Sequence, residues 1–208
     1  MSLCNGLSRL AVVLSLCVSL SACVAGRSRD ESRDGAAEAR GGFIVKVDKA
    51  AVKQWAVYIE GVPFFPQKER KCGPAALASV INYWGGSVTL DKAASQVFNE
   101  RMAGTLPMDM LIYAKEAGYD AMFYNGGLDD LKRKLSDKIP LILFLNMGYD
   151  LYPLGHYIVV VGYDDNAKTV LAYSDKDAKA VFTYEALDSA WGKTNYSTFL
   201  IKPIQPER

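Results

Sequence analysis

The stretch VPFFPQKERKCGPAALASVINYW, residues 62–84, reads as a proline-bounded loop that turns into a helix at Cys72. Proline at position 74 suits a first helical turn, where its missing N–H would be unpaired in any case. Gly73 leaves the backbone beside the thiol open to close approach by another group. The second decisive stretch is PLGHYIVVVGYDD, residues 153–165, in which a histidine opens a run of Val, Ile and Tyr that ends in turn residues, the pattern of a buried strand. His156 is the one histidine in the chain, so no second imidazole competes for the role of general base.

The cysteines narrow in the same way. Of the four, Cys4 and Cys17 fall in a segment with a basic residue, Arg9, followed by the short apolar stretch Leu10 to Leu20. That is the layout of a signal peptide, and the stretch is too short to span a bilayer. Leu20-Ser21-Ala22-Cys23 resembles a bacterial lipobox, which implies cleavage after residue 22 and lipidation of Cys23. Without an acidic residue at Val24 or Ala25, the resemblance to sorting rules points to the outer membrane, with the protein lipid-anchored in the cell envelope and facing the periplasm. Cys72 is then the thiol that remains, in a compartment where an unpaired thiol is a liability unless it is buried or used.

Residues 23–42 are rich in Arg, Asp, Glu, Ser, Ala and Gly without an apolar period, as in a flexible tether. A single domain is expected from Phe43 to Arg208. With 208 residues, 50% apolar and 23% charged, and a net charge of +1, the chain has the balance of a globular protein. That charge gives no footing for nucleic acid, and one histidine with scattered thiols leaves no metal-ligand set or cofactor motif.

Within the domain, Trp55 to Ile59 is expected as a short strand. Helices are expected from Gly73 to Trp84, from Thr89 as cap to Asn99, from Thr105 or Leu106 to just before Gly118, and over Leu128–Asp137. Apolar or alternating runs follow at Leu141–Leu145, Tyr157–Tyr163, Thr169–Tyr173, Ala178–Tyr184 and Ser197–Lys202, with a short helix over Tyr184–Trp191. Helices first and strands afterwards predict an α+β domain, an N-terminal helical layer packed on a C-terminal antiparallel sheet.

A thiol is a nucleophile as thiolate, and the start of a helix favours that anion through its partial positive charge and unpaired N–H groups. The Cys72 amide is a natural oxyanion donor, and Gln67, five residues upstream, carries a side-chain amide that can be the second. The loop Met147–Leu154, just before His156, is placed to govern specificity. Among Tyr83, Trp84, Tyr124, Tyr149, Tyr152 and Tyr157, some could line a groove and most are expected in packing.

Taken together, the Gln67 to Cys72 spacing, CGPAAL and GHYIVVVGYDD resemble the double-glycine-leader cysteine peptidases, the bacteriocin-processing branch of the papain-like clan, over residues 60–192. The resemblance implies a papain-like fold and a peptide or protein substrate. It also implies a Cys72, His156 and Asp175 triad, with Gln67 as oxyanion donor. Members commonly show Asp-Pro where this chain has Asp175-Lys176, and Asp177 is the alternative acid. That departure, with a Gln67 to Cys72 spacing one residue short of many papain-like enzymes, motivates a second reading as a catalytically drifted peptide-binding or assembly factor. Gly41-Gly42 is read chiefly as part of the tether, with self-cleavage as the lesser reading.

Overall fold

Ten residues from Gly155 to Asp164 form the strand around which the rest is built, and Tyr157 to Gly162 are all buried along it. Successive side chains of a strand point to opposite faces, so an uninterrupted buried run requires cover on both. The computed structural model describes residues 55–67 and 70–204. The proposed signal peptide 1–22, Cys23, the tether and the domain start at Phe43 lie outside the described residues.

In chain order the elements are β1 (Val57–Tyr58), α1 (Cys72–Tyr83), α2 (Leu90–Val97), β2 (Phe98–Asn99), β3 (Gly104–Thr105), α3 (Pro107–Glu116), β4 (Tyr119–Asn125), α4 (Leu128–Ser136), β5 (Leu141–Asn146), β6 (Gly155–Asp164), β7 (Thr169–Ser174), β8 (Asp177–Thr183), α5 (Tyr184–Gly192) and β9 (Ser197–Pro203). A seven-stranded sheet runs β4-β9-β5-β6-β7-β8, with β1 also paired to β6. Every pairing in it is antiparallel.

Helix α1 is buried continuously from Gly73 to Ile81, and its early turns are small residues, Gly73, Ala75, Ala76 and Ala78. A helix apolar on all sides belongs inside a protein, and small side chains let it approach the sheet closely. It lies against β6, β5 and β9, while α2 and α3 pack on it. By contrast, α4 buries Leu131 and Leu135, one turn apart, and turns its charged residues outward. The α+β architecture expected from the sequence is the one observed.

Several boundaries differ from expectation. Helix α2 stops at Val97, and Phe98–Asn99 instead pairs with Gly104–Thr105 as a small separate hairpin. Asn99 closes it, its side-chain carbonyl accepting from the amides of Arg101 and Met102. Strand β4 is not marked by the sequence pattern. It is an edge strand with one buried residue, Ala121, so it lacks the alternation that marks a strand with one face in the core. Thr183 ends β8 and caps α5 by accepting from the Ala186 amide, so the helix begins at Tyr184 as expected and the strand stops one residue short of its expected end.

Trp191 anchors the C-terminal part of the core. It is 1% exposed, donates its indole N–H to the Ser197 carbonyl at 3.0 Å and meets Tyr196 edge-on at 5.3 Å between ring centroids. Trp191→Ala is expected to cost about 3–5 kcal/mol of stability, the usual range for emptying a buried indole site. A urea titration measures it, and a cost below about 1 kcal/mol would mean that the site collapses around the gap.

Candidate active site

Cys72 is the first residue of α1, half-buried and unpaired. The backbone N–H groups of Tyr157, on β6, and of Gly73 lie near enough to favour its anion, and α1 packs on the strand that carries His156. Gly73 has no room for a side chain: a Cβ there would lie 2.7–2.9 Å from three atoms of Thr105 on β3. Thr105 is in turn held by Tyr157, whose hydroxyl donates to its carbonyl at 3.2 Å. Gly73→Ala is therefore expected to displace β3 or the start of α1 at a cost of about 1–3 kcal/mol. Thermal unfolding checks this, and an unchanged midpoint would mean that the β2–β3 hairpin yields freely.

His156 is the second residue of β6, opposite Leu145 of β5. The residue before it, Gly155, faces the Phe144 ring, which stands 2.6 Å from where a Cβ would sit, so the strand enters without a side chain there. The ring nitrogen Nε2 of His156 is 2.9 Å from the Ser174 hydroxyl at the end of β7. The same atom lies 4.0 Å from Asp175 Oδ1, beyond hydrogen-bonding reach. The Asp175 side chain is 73% exposed while that of His156 is 12% exposed. Asp177 opens β8 and uses its carboxylate locally, accepting from the Lys179 amide at 2.8 Å.

Gln67 is 8% exposed although it sits in an irregular loop. Three contacts hold that loop on β7 and the turn that follows it. The Tyr173 hydroxyl donates to the Val62 carbonyl at 2.8 Å, Phe64 packs edge-on against the Tyr173 ring, and the Gln67 amide donates to the Asp175 carbonyl at 2.9 Å. The loop of Gln67, the β7–β8 turn, the start of β6 and the start of α1 thus converge at one end of the sheet. Ser174 is the member of this group that the sequence did not single out. Its signal was its position, the last residue of TVLAYS, immediately before the acid-bearing turn.

Burial raises the Cys72 thiol above its ordinary value. The nearby backbone N–H groups of Tyr157 and Gly73 pull it down, and the Asp175 charge adds to the rise. Burial likewise holds His156 below the ordinary imidazole range, with Asp175 pulling in the opposite direction. Both shifts favour a neutral thiol and a neutral imidazole near pH 7.

Beside the site, the loop between β5 and β6 is closed by Asn146, whose side-chain carbonyl accepts from the amides of Gly148 and Leu154. Its tip leaves Tyr149, Leu151, Tyr152 and Leu154 exposed. Tyr83, Trp84 and Tyr124 have structural partners instead, the Lys138 carbonyl, the Ile201 carbonyl and the Asp130 carboxylate.

A helix-borne thiol set against a histidine-bearing antiparallel strand is the arrangement of the papain-like cysteine peptidases, and comparison with known proteins agrees. The Peptidase C39 like family matches residues 59–198, and the chain belongs to that family. No curated protein matches it. Among solved structures, the chain is similar to a double glycine motif protease from an AMS/PCAT transporter in complex with the leader peptide. That pair shares 22% identity over 71% of this chain and 95% of the other, with a TM-score of 0.57. The peptidase domain of Streptococcus ComA, a bi-functional ABC transporter, matches with 22% identity over 69% and 100% of the two chains and a TM-score of 0.57. A C39-like peptidase from Bacillus anthracis matches at 16% identity over 73% and 98%, with the same TM-score of 0.57.

Proposed function

We propose that this protein is a membrane-anchored, extracytoplasmic cysteine peptidase that cleaves peptide substrates through Cys72, His156 and Asp175, with Gln67 as an oxyanion donor. The observation that carries the reading is that α1, which begins at Cys72, packs on β6, the strand that carries the chain's one histidine, with the Tyr157 backbone near enough to favour the thiolate. The buried Gln67, tied through its backbone to Asp175, supports the oxyanion role. Cys72 gives its proton to His156 as Sγ attacks the substrate carbonyl carbon, and the carbonyl electron pair moves to oxygen. There the Gln67 side-chain amide and the Cys72 N–H donate to it. Collapse expels the amine, which takes the proton back from His156, and water then hydrolyses the thioester. Asp175 supplies negative charge that steadies the imidazolium.

A structural relative solved with a leader peptide bound makes peptides the substrate class to test first. The Met147–Leu154 loop, with its exposed Tyr and Leu side chains, is where substrate side chains are expected to be read. Anchoring through Cys23 and residence in the outer membrane rest on the sequence of the N-terminal segment. The exposed Asp175 side chain and the neutral resting pair favour the second reading, a peptide-binding factor that has lost turnover. Electrophilic peptide libraries, read by mass spectrometry of the Cys72 adduct, separate the two. A sequence-selective adduct supports the peptidase. Labelling no faster than in the denatured chain would exclude it.

A further inference from the structure

We propose that Ser174 is the positioning residue of His156: its hydroxyl, rather than the Asp175 carboxylate, takes the Nε2 hydrogen bond and leaves Nδ1 to receive the Cys72 proton. The inference deepens the peptidase reading and rests on it for the roles of Cys72 and His156.

Distance is the first ground. Ser174 Oγ stands 2.9 Å from Nε2, whereas the nearest Asp175 oxygen stands at 4.0 Å. Strand register is the second. Val159 pairs with Tyr173, and continuing that antiparallel register by one residue sets Ser174 opposite Ile158. Side chains two apart on a strand share a face, so Ser174 lies diagonally across from His156 on the same face of the sheet. The same alternation would put a strand residue at 175 on the opposite face. Asp175 has left the strand instead, with φ at 50° in the turn before β8.

Burial and backbone fix the assignment further. Ser174 is 2% exposed, while the Asp175 side chain faces solvent. The Asp175 carbonyl is held by the Gln67 amide at 2.9 Å, so the turn is anchored in this orientation. The residue at 176 matters as well. A proline there would drive residue 175 toward an extended backbone with φ of about −120°, whereas Lys176 leaves the left-handed conformation open.

The chemical consequence is a division of labour. A neutral hydroxyl that accepts from Nε2–H fixes the tautomer and ring orientation without the field a buried carboxylate would supply. Among the described residues, the charged group acting on His156 is Asp175 from the β7–β8 turn, and it acts from an exposed position 4.0 Å away. Cys72 on α1 and Asp109 on α3 act on the neighbouring Tyr157 hydroxyl. The imidazole is therefore oriented by one residue and steadied electrostatically by another.

The chain's single histidine makes the test direct. In the full chain labelled with 15N-histidine, NMR is expected to show the proton on Nε2 and a bare Nδ1. Ser174→Ala should give a tautomer mixture and slow iodoacetamide alkylation of Cys72 at pH 7 by about tenfold, the scale of one hydrogen bond lost from a group that becomes charged. Ser174→Thr should restore both. Asp175→Asn should keep the Nε2 tautomer, lower the imidazole pKa further and change alkylation by about fivefold or less, as befits an exposed charge. A proton on Nδ1 in the wild type, or a tautomer scrambled by Asp175→Asn and untouched by Ser174→Ala, would overturn the proposal. The wild-type and Asp175→Asn spectra decide the matter even if the Ser174 variants fold poorly. If the tautomer follows Ser174 while wild-type Cys72 reacts no faster than in denatured protein, the positioning stands and the peptidase reading is what fails.

Discussion

Cys72→Ala is expected to abolish covalent turnover and leave the fold in place. The substitution removes one sulfur from the first position of α1, and alanine is the most favourable residue for a helix. Neighbouring Gly73, Pro74 and Ala75, which set the entry of the helix, are untouched. The thermal midpoint should therefore move by no more than a change of about 1 kcal/mol would produce. Activity should fall by on the order of 10⁴-fold or more, because without Sγ no thioester forms and the oxyanion donors have no tetrahedral intermediate to hold. Intact-protein mass spectrometry with an electrophilic peptide should add one probe mass to the wild type and none to the variant. Peptide cleavage that survives in Cys72→Ala would remove the thiol from the mechanism, and an unchanged biological role with no cleavage in either protein would favour the peptide-binding alternative.

What could be read from the sequence was what short-range chemistry dictates. Pro74 after Cys72-Gly73 marked a helix start, and the apolar run after His156 marked a strand, which β6 is, buried from Tyr157 to Gly162. What could not be read depends on pairing between distant segments. Strand β4 carries Tyr119-Asp120-Ala121-Met122-Phe123-Tyr124-Asn125 with one buried position, and its pairing to β9 supplies the order that its side chains do not. Phe98–Asn99 looked like the end of a helix until Gly104–Thr105 drew it into a hairpin. The tight seat of Gly73 against Thr105 joins positions 32 residues apart, and no local pattern announces it.

The environment of His156 was hidden for the same reason. A carboxylate at a strand end is conspicuous in a sequence and a serine is not, yet the pleat sets Ser174 on the face of the histidine and leaves Asp175 in the turn. Gln67 stood out by its side-chain amide, but the anchoring of its loop comes from distant residues, the Tyr173 hydroxyl on the Val62 carbonyl 111 residues back and the Gln67 backbone N–H on the Asp175 carbonyl. The resting electrostatics follow from the burial of Cys72 and His156. With the imidazole held low and the thiol held high by burial, proton transfer is expected to accompany attack on a bound carbonyl rather than precede it.

His156→Gln should lower turnover by about 10²- to 10⁴-fold, the contribution typical of a positioned general base. The same variant should also change how stability depends on pH, and here the sign is fixed by linkage. The imidazole titrates near 6.5 when unfolded and below that value in the folded protein, where it is buried in its neutral form. As pH falls through 6.5 the unfolded chain takes up a proton that the folded one refuses, so stability declines until the folded-state pKa is reached. The slope is at most about 1.4 kcal/mol per pH unit for one proton. No other histidine exists in the chain to add to it, and most carboxylates titrate lower, which leaves the interval from about pH 6.5 to 5 as the window of His156. Urea titrations at pH 8, 6.5 and 5 should show the wild type losing stability across that window and His156→Gln losing less. Parallel curves would mean that the folded imidazole accepts its proton as readily as the unfolded one, and with that the buried neutral base would be gone from the mechanism.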